Sequence, residues 1–225
     1  MTEALKSRSF KRELPVFLSK EWMDPSYASI IGKRSLFLDI PGACYHFHVA
    51  ADVVHRDPVD GLKSNHEEAD TKICIHAKAA DQIADNIIVR ASDTDIAVIL
   101  LHHCHTFNAR VWIDAGTAAK NNRRFIDISA ISVSLGPEVC AALPGFHAFT
   151  GSDYTSAFVR KGKLRPFARL EKSPDVQKTF SEMATSDILG DRHRTILLNY
   201  VAMIYGAKEG TPLNSHRYKT FEKAY

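Results

Sequence analysis

Asn86-Ile-Ile-Val-Arg-Ala-Ser-Asp-Thr-Asp95 is the stretch on which the reading of the fold turns. A near-continuous apolar run that ends on two acids reads as a parallel strand covered on both faces, because such strands lose the polar alternation of a half-exposed sheet. Ile96-Ala-Val-Ile-Leu-Leu-His-His103 follows as buried helix or strand. Upstream, Ala69, Ile73, Ile75, His76, Ala77 and Ala80 suit a helix over 67–84, and Ser64-Asn-His-Glu67 fits a capping box at its start. Further back, Ser35-Leu-Phe-Leu-Asp-Ile40 and Cys44-Tyr-His-Phe-His-Val49 read as two strands joined by Pro41-Gly42. His46 and His48 share one side of the second strand, and residues 51–64 read as a polar connector. Downstream, Arg110-Val-Trp-Ile-Asp114 and Arg124-Phe-Ile-Asp-Ile128 read as strands flanking the basic turn Lys120-Asn-Asn-Arg-Arg124. Beyond Ser129 the pattern is helical, with breaks expected at Gly136-Pro137, Pro144-Gly145, Gly162 and Gly190. Strands alternating with helices, then helices alone, give an α/β sheet with a helical C-terminal part.

Composition agrees with a folded domain. The chain has 225 residues, 45% hydrophobic and 24% charged, and a net charge of +3. Those values exclude disorder, collagen and coiled coil as whole-chain descriptions. No apolar run approaches the roughly 20 residues needed to span a bilayer. The start, MTEALKSRSFKREL, has no apolar segment behind its basic residues, so no secretory signal is read there. Cys44, Cys74, Cys104 and Cys140 form no close pair and read as reduced thiols of an intracellular protein.

The acids cluster at the ends of elements. Glu67, Glu68 and Asp70 open a helix, Asp93 and Asp95 close a strand, and Asp153 precedes a helix within Thr150-Gly-Ser-Asp-Tyr-Thr155. In open α/β sheets, ligands collect beyond the C-terminal ends of the strands. Hard oxygen ligands there suit Mg²⁺ or Mn²⁺, and two such ions about 4 Å apart can activate water against a phosphodiester. Each acid also suits a helix cap or a first turn, where it favours the helix dipole.

Glu68-Ala-Asp70, Ser92-Asp-Thr-Asp95 and Gly151-Ser-Asp-Tyr154, in that order, resemble the later motifs of the flap endonuclease/XPG-type nucleases of the PIN-like superfamily. A closer likeness runs through Ser64-Asn-His-Glu-Glu-Ala-Asp-Thr71 and His147-Ala-Phe-Thr-Gly-Ser-Asp-Tyr-Thr-Ser-Ala-Phe158 to transposon-associated animal proteins with this core. The resemblance implies a three-layer PIN-like fold with a central, mostly parallel sheet. It divides the chain into a partial nuclease core over 1–157 and a helical extension over 158–225. It implies that Glu68, Asp70, Asp93, Asp95 and Asp153 hold two Mg²⁺ or Mn²⁺ ions as the catalytic set, with Glu67 and Tyr154 in support. The family carries two further aspartates upstream of the first motif. Residues 1–65 hold neither in a matching context, and Asp39 matches by appearance alone. The implied core is therefore incomplete at its N-terminus, with cleavage slow or absent.

The same resemblance implies that Arg160, Lys161, Lys163, Arg165 and Arg169 grip duplex DNA. A basic run of this kind neutralises phosphates without reading sequence. DNA, branched or flapped, is then the expected partner, in an intracellular and, for DNA, nuclear setting, with no membrane and no nucleotide cofactor. His102-His-Cys-His105 lacks the spaced partner pair of a zinc site. No GxSxG, GxxxxGK[ST] or GxGxxG motif is present. Two other classes remain open. One is a catalytically inactive nucleic-acid- or protein-binding module whose carboxylates are caps; the other is a non-functional fragment of a mobile element.

Overall fold

The computed structural model describes residues 6–64, 69–186, 188–208 and 210–223. It is a mixed α/β structure whose chain divides into two compact units, Met1–Ala79 and Ala80–Tyr225. Glu67, Glu68 and the inner part of the expected capping box lie outside the described residues.

The first unit opens with α1, Arg8–Glu21, capped by the Ser7 side chain. Its first turns absorb the basic residues near the start, and it carries Pro15 within it. A short α2, Ala28–Ile31, leads to β1, Leu36–Ile40, and β2, Ala43–Ala50. The two strands pair antiparallel across Pro41-Gly42, where Gly42 takes a φ of 82°. The expected connector then contains a third strand, β3, Val53–Pro58, which completes an antiparallel sheet of order β1-β2-β3. The β2–β3 turn is Ala51-Asp52, with φ of 50° and 61°. Left-handed conformations at both positions are what a two-residue hairpin needs, but Asn-Gly is its usual signature, so Ala-Asp gives no sequence warning. Phe47, Val54 and Ile31 form the core on one side of this sheet, under Trp22, Tyr27 and Leu38. The last element is α3, Ala69–Ala80, shorter at its C-terminal end than the periodicity suggests.

The second unit begins with β4, Asn86–Arg90, which pairs parallel with β5, Arg110–Ala115. Between them runs α4, Thr94–His103, the crossover that a parallel pair requires. From β5 the chain returns through the basic turn to β6, Arg124–Asp127, antiparallel to β5. The sheet is thus three-stranded and mixed, of order β4-β5-β6, where a larger, mostly parallel sheet was expected. The cause is local: a short turn can join only antiparallel neighbours. The expected two-sided burial of the first strand is also corrected. Ile87 and Val89 are buried, whereas Ile88 is 61% exposed, so β4 alternates with an apolar residue on its open side.

Helices complete the unit. They are α5, Ile128–Leu135, and α6, Pro137–Thr150, then α7, Leu164–Leu170, and α8, Pro174–Met183. Last come α9, Asp191–Ile204, and α10, Leu213–Glu222. Gly136-Pro137 separates α5 from α6 as expected, but Pro144-Gly145 lies inside α6. Gly145 is there for contact, since a Cβ would stand 2.2 Å from the Phe180 carbonyl oxygen of α8. That close approach seats Phe146, Phe180, Leu170 and Tyr200 in one core. Tyr200 donates its hydroxyl to the Pro166 carbonyl at 2.8 Å, and burial pushes its phenol far above the usual range. Among the described residues, no single helix is long and apolar enough to cross a membrane.

Candidate functional site

The N-terminus of α4 stands where β4 ends, the position at which parallel pairs gather ligands. Asp93 is the cap of this helix, and its carboxylate accepts the Asp95 amide at 3.1 Å. Asp95 points to α6, where its Oδ1 is 2.8 Å from His147 Nε2. On the other side of that ring, Lys163 Nζ is 2.8 Å from Nδ1. An ammonium group only donates, so Nδ1 is the acceptor and the ring proton sits on Nε2, donated to Asp95. Lys163, His147 and Asp95 therefore form a directed chain of hydrogen bonds that fixes the Asp95 carboxylate. Burial pushes the Lys163 ammonium below its ordinary pKa, and the Asp95 charge opposes that shift.

Three residues beyond the end of α6 stands Asp153. Gly151 has a φ of +112° and leaves no room for a side chain, since a Cβ would meet the Ala157 Cβ at 2.7 Å. Ser152 donates its amide to Thr155 Oγ1 at 2.8 Å, and the Thr155 hydroxyl donates to the Ala148 carbonyl at 2.6 Å. These bonds close a tight turn that holds Asp153 at the surface. Tyr154, expected beside the carboxylates, lies at the tip of the turn and is 83% exposed. Asp70 is in the first turn of α3 in the first unit, and Glu67 and Glu68 lie outside the described residues.

Within the second unit, the structure joins Asp93 to Asp95 through the cap and Asp95 to α6 through His147. It does not bring Asp93, Asp95 and Asp153 within 4.8 Å of one another. Among the described residues, the one group of three ligating side chains at that spacing is Asp39, Cys44 and His76, in the first unit. The His102-to-His105 run forms no such group, because α4 passes there into a tight turn over Cys104–Thr106.

The basic residues separate into two sets. Lys163 turns inward to His147, away from the phosphate contact expected of it. Lys161, Arg165, Arg169 and Lys172 line an open cavity of about 570 Å³, together with Met203 and Tyr205. The Lys161 ammonium lies 5.0 Å from the centre of the Tyr205 ring. Among the described residues, none of these four cations pairs with a carboxylate. Arg160 is exposed in the loop beside them, at a φ of 56°.

Two acids that the sequence reading left aside are structural. Asp114, at the end of β5, is held by Arg90 at 2.8 Å and Arg123 at 2.9 Å. The Arg123 hydrogen bond pulls its carboxyl below the usual range. Asp127 caps α5 and pairs with Arg110. Two guanidinium groups leave Asp114 no charge to offer a metal. The roles of His147 and Lys163 were missed because nothing in the spacing of 95, 147 and 163 signals contact. No protein-family model, curated protein or solved structure matches this chain.

Proposed function

We propose that the second unit is a PIN-like, divalent-metal-dependent phosphodiesterase acting on DNA, with Asp93, Asp95 and Asp153 receiving Mg²⁺ or Mn²⁺. One observation carries the reading. Lys163 is bonded through His147 to the Asp95 carboxylate, and Lys161, two residues away, lines a cavity whose cations have no carboxylate partner among the described residues. The segment that orients the acid thus also presents the positive charge that a phosphate backbone needs. Mg²⁺ keeps several of its waters and is commonly held by one or two carboxylates, so an ion bridged by water suits acids that are not in mutual contact. The parallel β4–β5 pair, the α4 crossover and acids beyond the strand ends are consistent with a PIN-like core. In this reading the setting is intracellular, the partner is DNA, and metal alone assists the chemistry.

A second reading, a nucleic-acid-binding module without cleavage, is favoured by the carboxylates' existing engagements. Asp93 caps α4 and Asp95 Oδ1 is engaged by His147. Incubating the chain with flapped and plain duplex DNA in Mn²⁺ separates the two. Slow cleavage by the wild type that is lost in Asp93→Asn/Asp153→Asn, with binding retained, is the expected result. Salt-dependent binding without cleavage selects the module. Absence of both cleavage and binding overturns the proposal.

A further inference from the structure

We infer that Asp39, Cys44 and His76 form a binding site for one borderline-soft divalent cation of the zinc class, cross-linking the β1–β2 hairpin to α3. Asp39 and Cys44 face each other directly in the antiparallel register, so their side chains share one side of the sheet. His76 reaches the same point from α3, and one ligand atom of each residue lies within 4.8 Å of the other two. Bonds of about 2.0–2.3 Å in a tetrahedral zinc site put neighbouring ligand atoms about 3.3–3.6 Å apart, so closure needs movements of no more than roughly 1 Å. The donor set of one thiolate, one imidazole and one carboxylate selects against Mg²⁺ and Ca²⁺, which prefer oxygen alone.

The surroundings support the ligands. Lys72 Nζ donates to Asp39 Oδ2 at 2.8 Å, which orients the carboxylate and leaves Oδ1 for a metal. Outer bonds of this kind are a regular part of metal sites. Cys44 is 1% exposed, so a bound ion would be shielded from competing thiols and water. Two residues along β2 on the same side, His46 Nε2 is buried and, among the described residues, has no hydrogen-bond partner. Its ring, stacked on Phe37 at 4.6 Å, stands outside the close group of three. The fourth position therefore belongs to water, or to His46 after rotation. Because the ligands come from a hairpin and a helix, the ion's role is to hold the first unit together.

Titration of the full chain, stripped of metal by a chelator, with Zn²⁺ alone and with Co²⁺ alone tests this. One equivalent should bind, Co²⁺ should give a thiolate-to-metal charge-transfer absorption, and Zn²⁺ should raise the unfolding temperature. Cys44→Ser should abolish the absorption, and Asp39→Asn or His76→Ala should weaken binding at least roughly 100-fold, the upper end of what outer-sphere changes cause. Cys74→Ser should change neither. In the wild type, where no substitution can disturb folding, one equivalent of Zn²⁺ should slow alkylation of Cys44 and leave that of Cys74 unchanged. Absence of the charge-transfer absorption in the wild type, its persistence in Cys44→Ser, or equal alkylation of Cys44 with and without Zn²⁺ would overturn the inference.

Discussion

The two sheets of this molecule have the same number of strands and opposite designs. β1-β2-β3 is built from two consecutive hairpins, β4-β5-β6 from one crossover and one hairpin. Each has one apolar side. On the second side, the first sheet carries Asp39, Cys44, His46, His48 and His55, with His46, His48 and His55 in a row of neighbouring rings. The second sheet carries Ile88, Trp112 and Phe125 among Arg90, Arg110 and Arg123, each arginine paired with Asp114 or Asp127. Arg110 and Arg123 also lie over the Trp112 and Phe125 rings, at 4.7 Å and 5.3 Å. One side thus gathers a thiol, imidazoles and a carboxylate held by a single lysine, while on the other each acid is held by one or two guanidinium groups. Residue types alone do not make a metal site; the donors must also converge, as those of Asp39, Cys44 and His76 do within 4.8 Å.

The largest contrast should appear in packing. Phe47, with no exposed surface on the apolar side of the first sheet, should cost roughly 3–5 kcal/mol on replacement by Ala. Ile88→Ser, on the open side of the second sheet, should stay within about 0.5 kcal/mol. Denaturant unfolding of the two variants checks this, and equal losses would mean that the side bearing Ile88 is covered. The next contrast is in acid. Asp114 has a folded pKa held below its ordinary value by Arg123 and Arg90, so its ion pairs stabilise the fold above about pH 4. That contribution disappears as pH falls through the depressed folded value. Asp114→Asn should lower the unfolding temperature at neutral pH and flatten its decline in acid, whereas a decline as steep as the wild type's would assign the acid sensitivity elsewhere.

A smaller difference separates the two lysines at 161 and 163. Lys161→Ala should reduce the slope of log affinity for duplex DNA against log salt by roughly 1, and Lys163→Met should leave it unchanged. A reduced slope in Lys163→Met would place that ammonium on phosphate. The least effect is expected in the β2–β3 turn. Changing Ala51-Asp52 to Asn-Gly relieves left-handed strain and should stabilise the chain by about 1 kcal/mol, read from the unfolding midpoint.

Local signals and long-range contacts differ in how far the sequence reveals them. Five of the six strands among the described residues are legible in the sequence, because their apolar runs and bounding turns are local signals. β3 was hidden by its polar composition and by a turn lacking glycine. Alternation in β4 was hidden because Ile88, which points outward, is as apolar as its buried neighbours. Pro144-Gly145 resembles a break, yet Gly145 is set inside α6 by its approach to α8. At the candidate site, the cap formed by Asp93 follows from local sequence, and the basic run was visible as a cluster. The bonds of His147 to Asp95 and Lys163 span 52 and 16 residues and become evident only when α4, α6 and the following loop are in place.

Metal selectivity in two variants tests the central claim most directly, that the second unit takes a hard cation. Calorimetric titration with Mn²⁺ and with Zn²⁺ would be run on the wild type, on Asp93→Asn/Asp153→Asn and on Cys44→Ser. The expected result is a crossed loss, with Mn²⁺ binding abolished in the double variant alone and Zn²⁺ binding abolished in Cys44→Ser alone. Mn²⁺ binding that survives unchanged in Asp93→Asn/Asp153→Asn, or that is absent from the wild type, would contradict the claim.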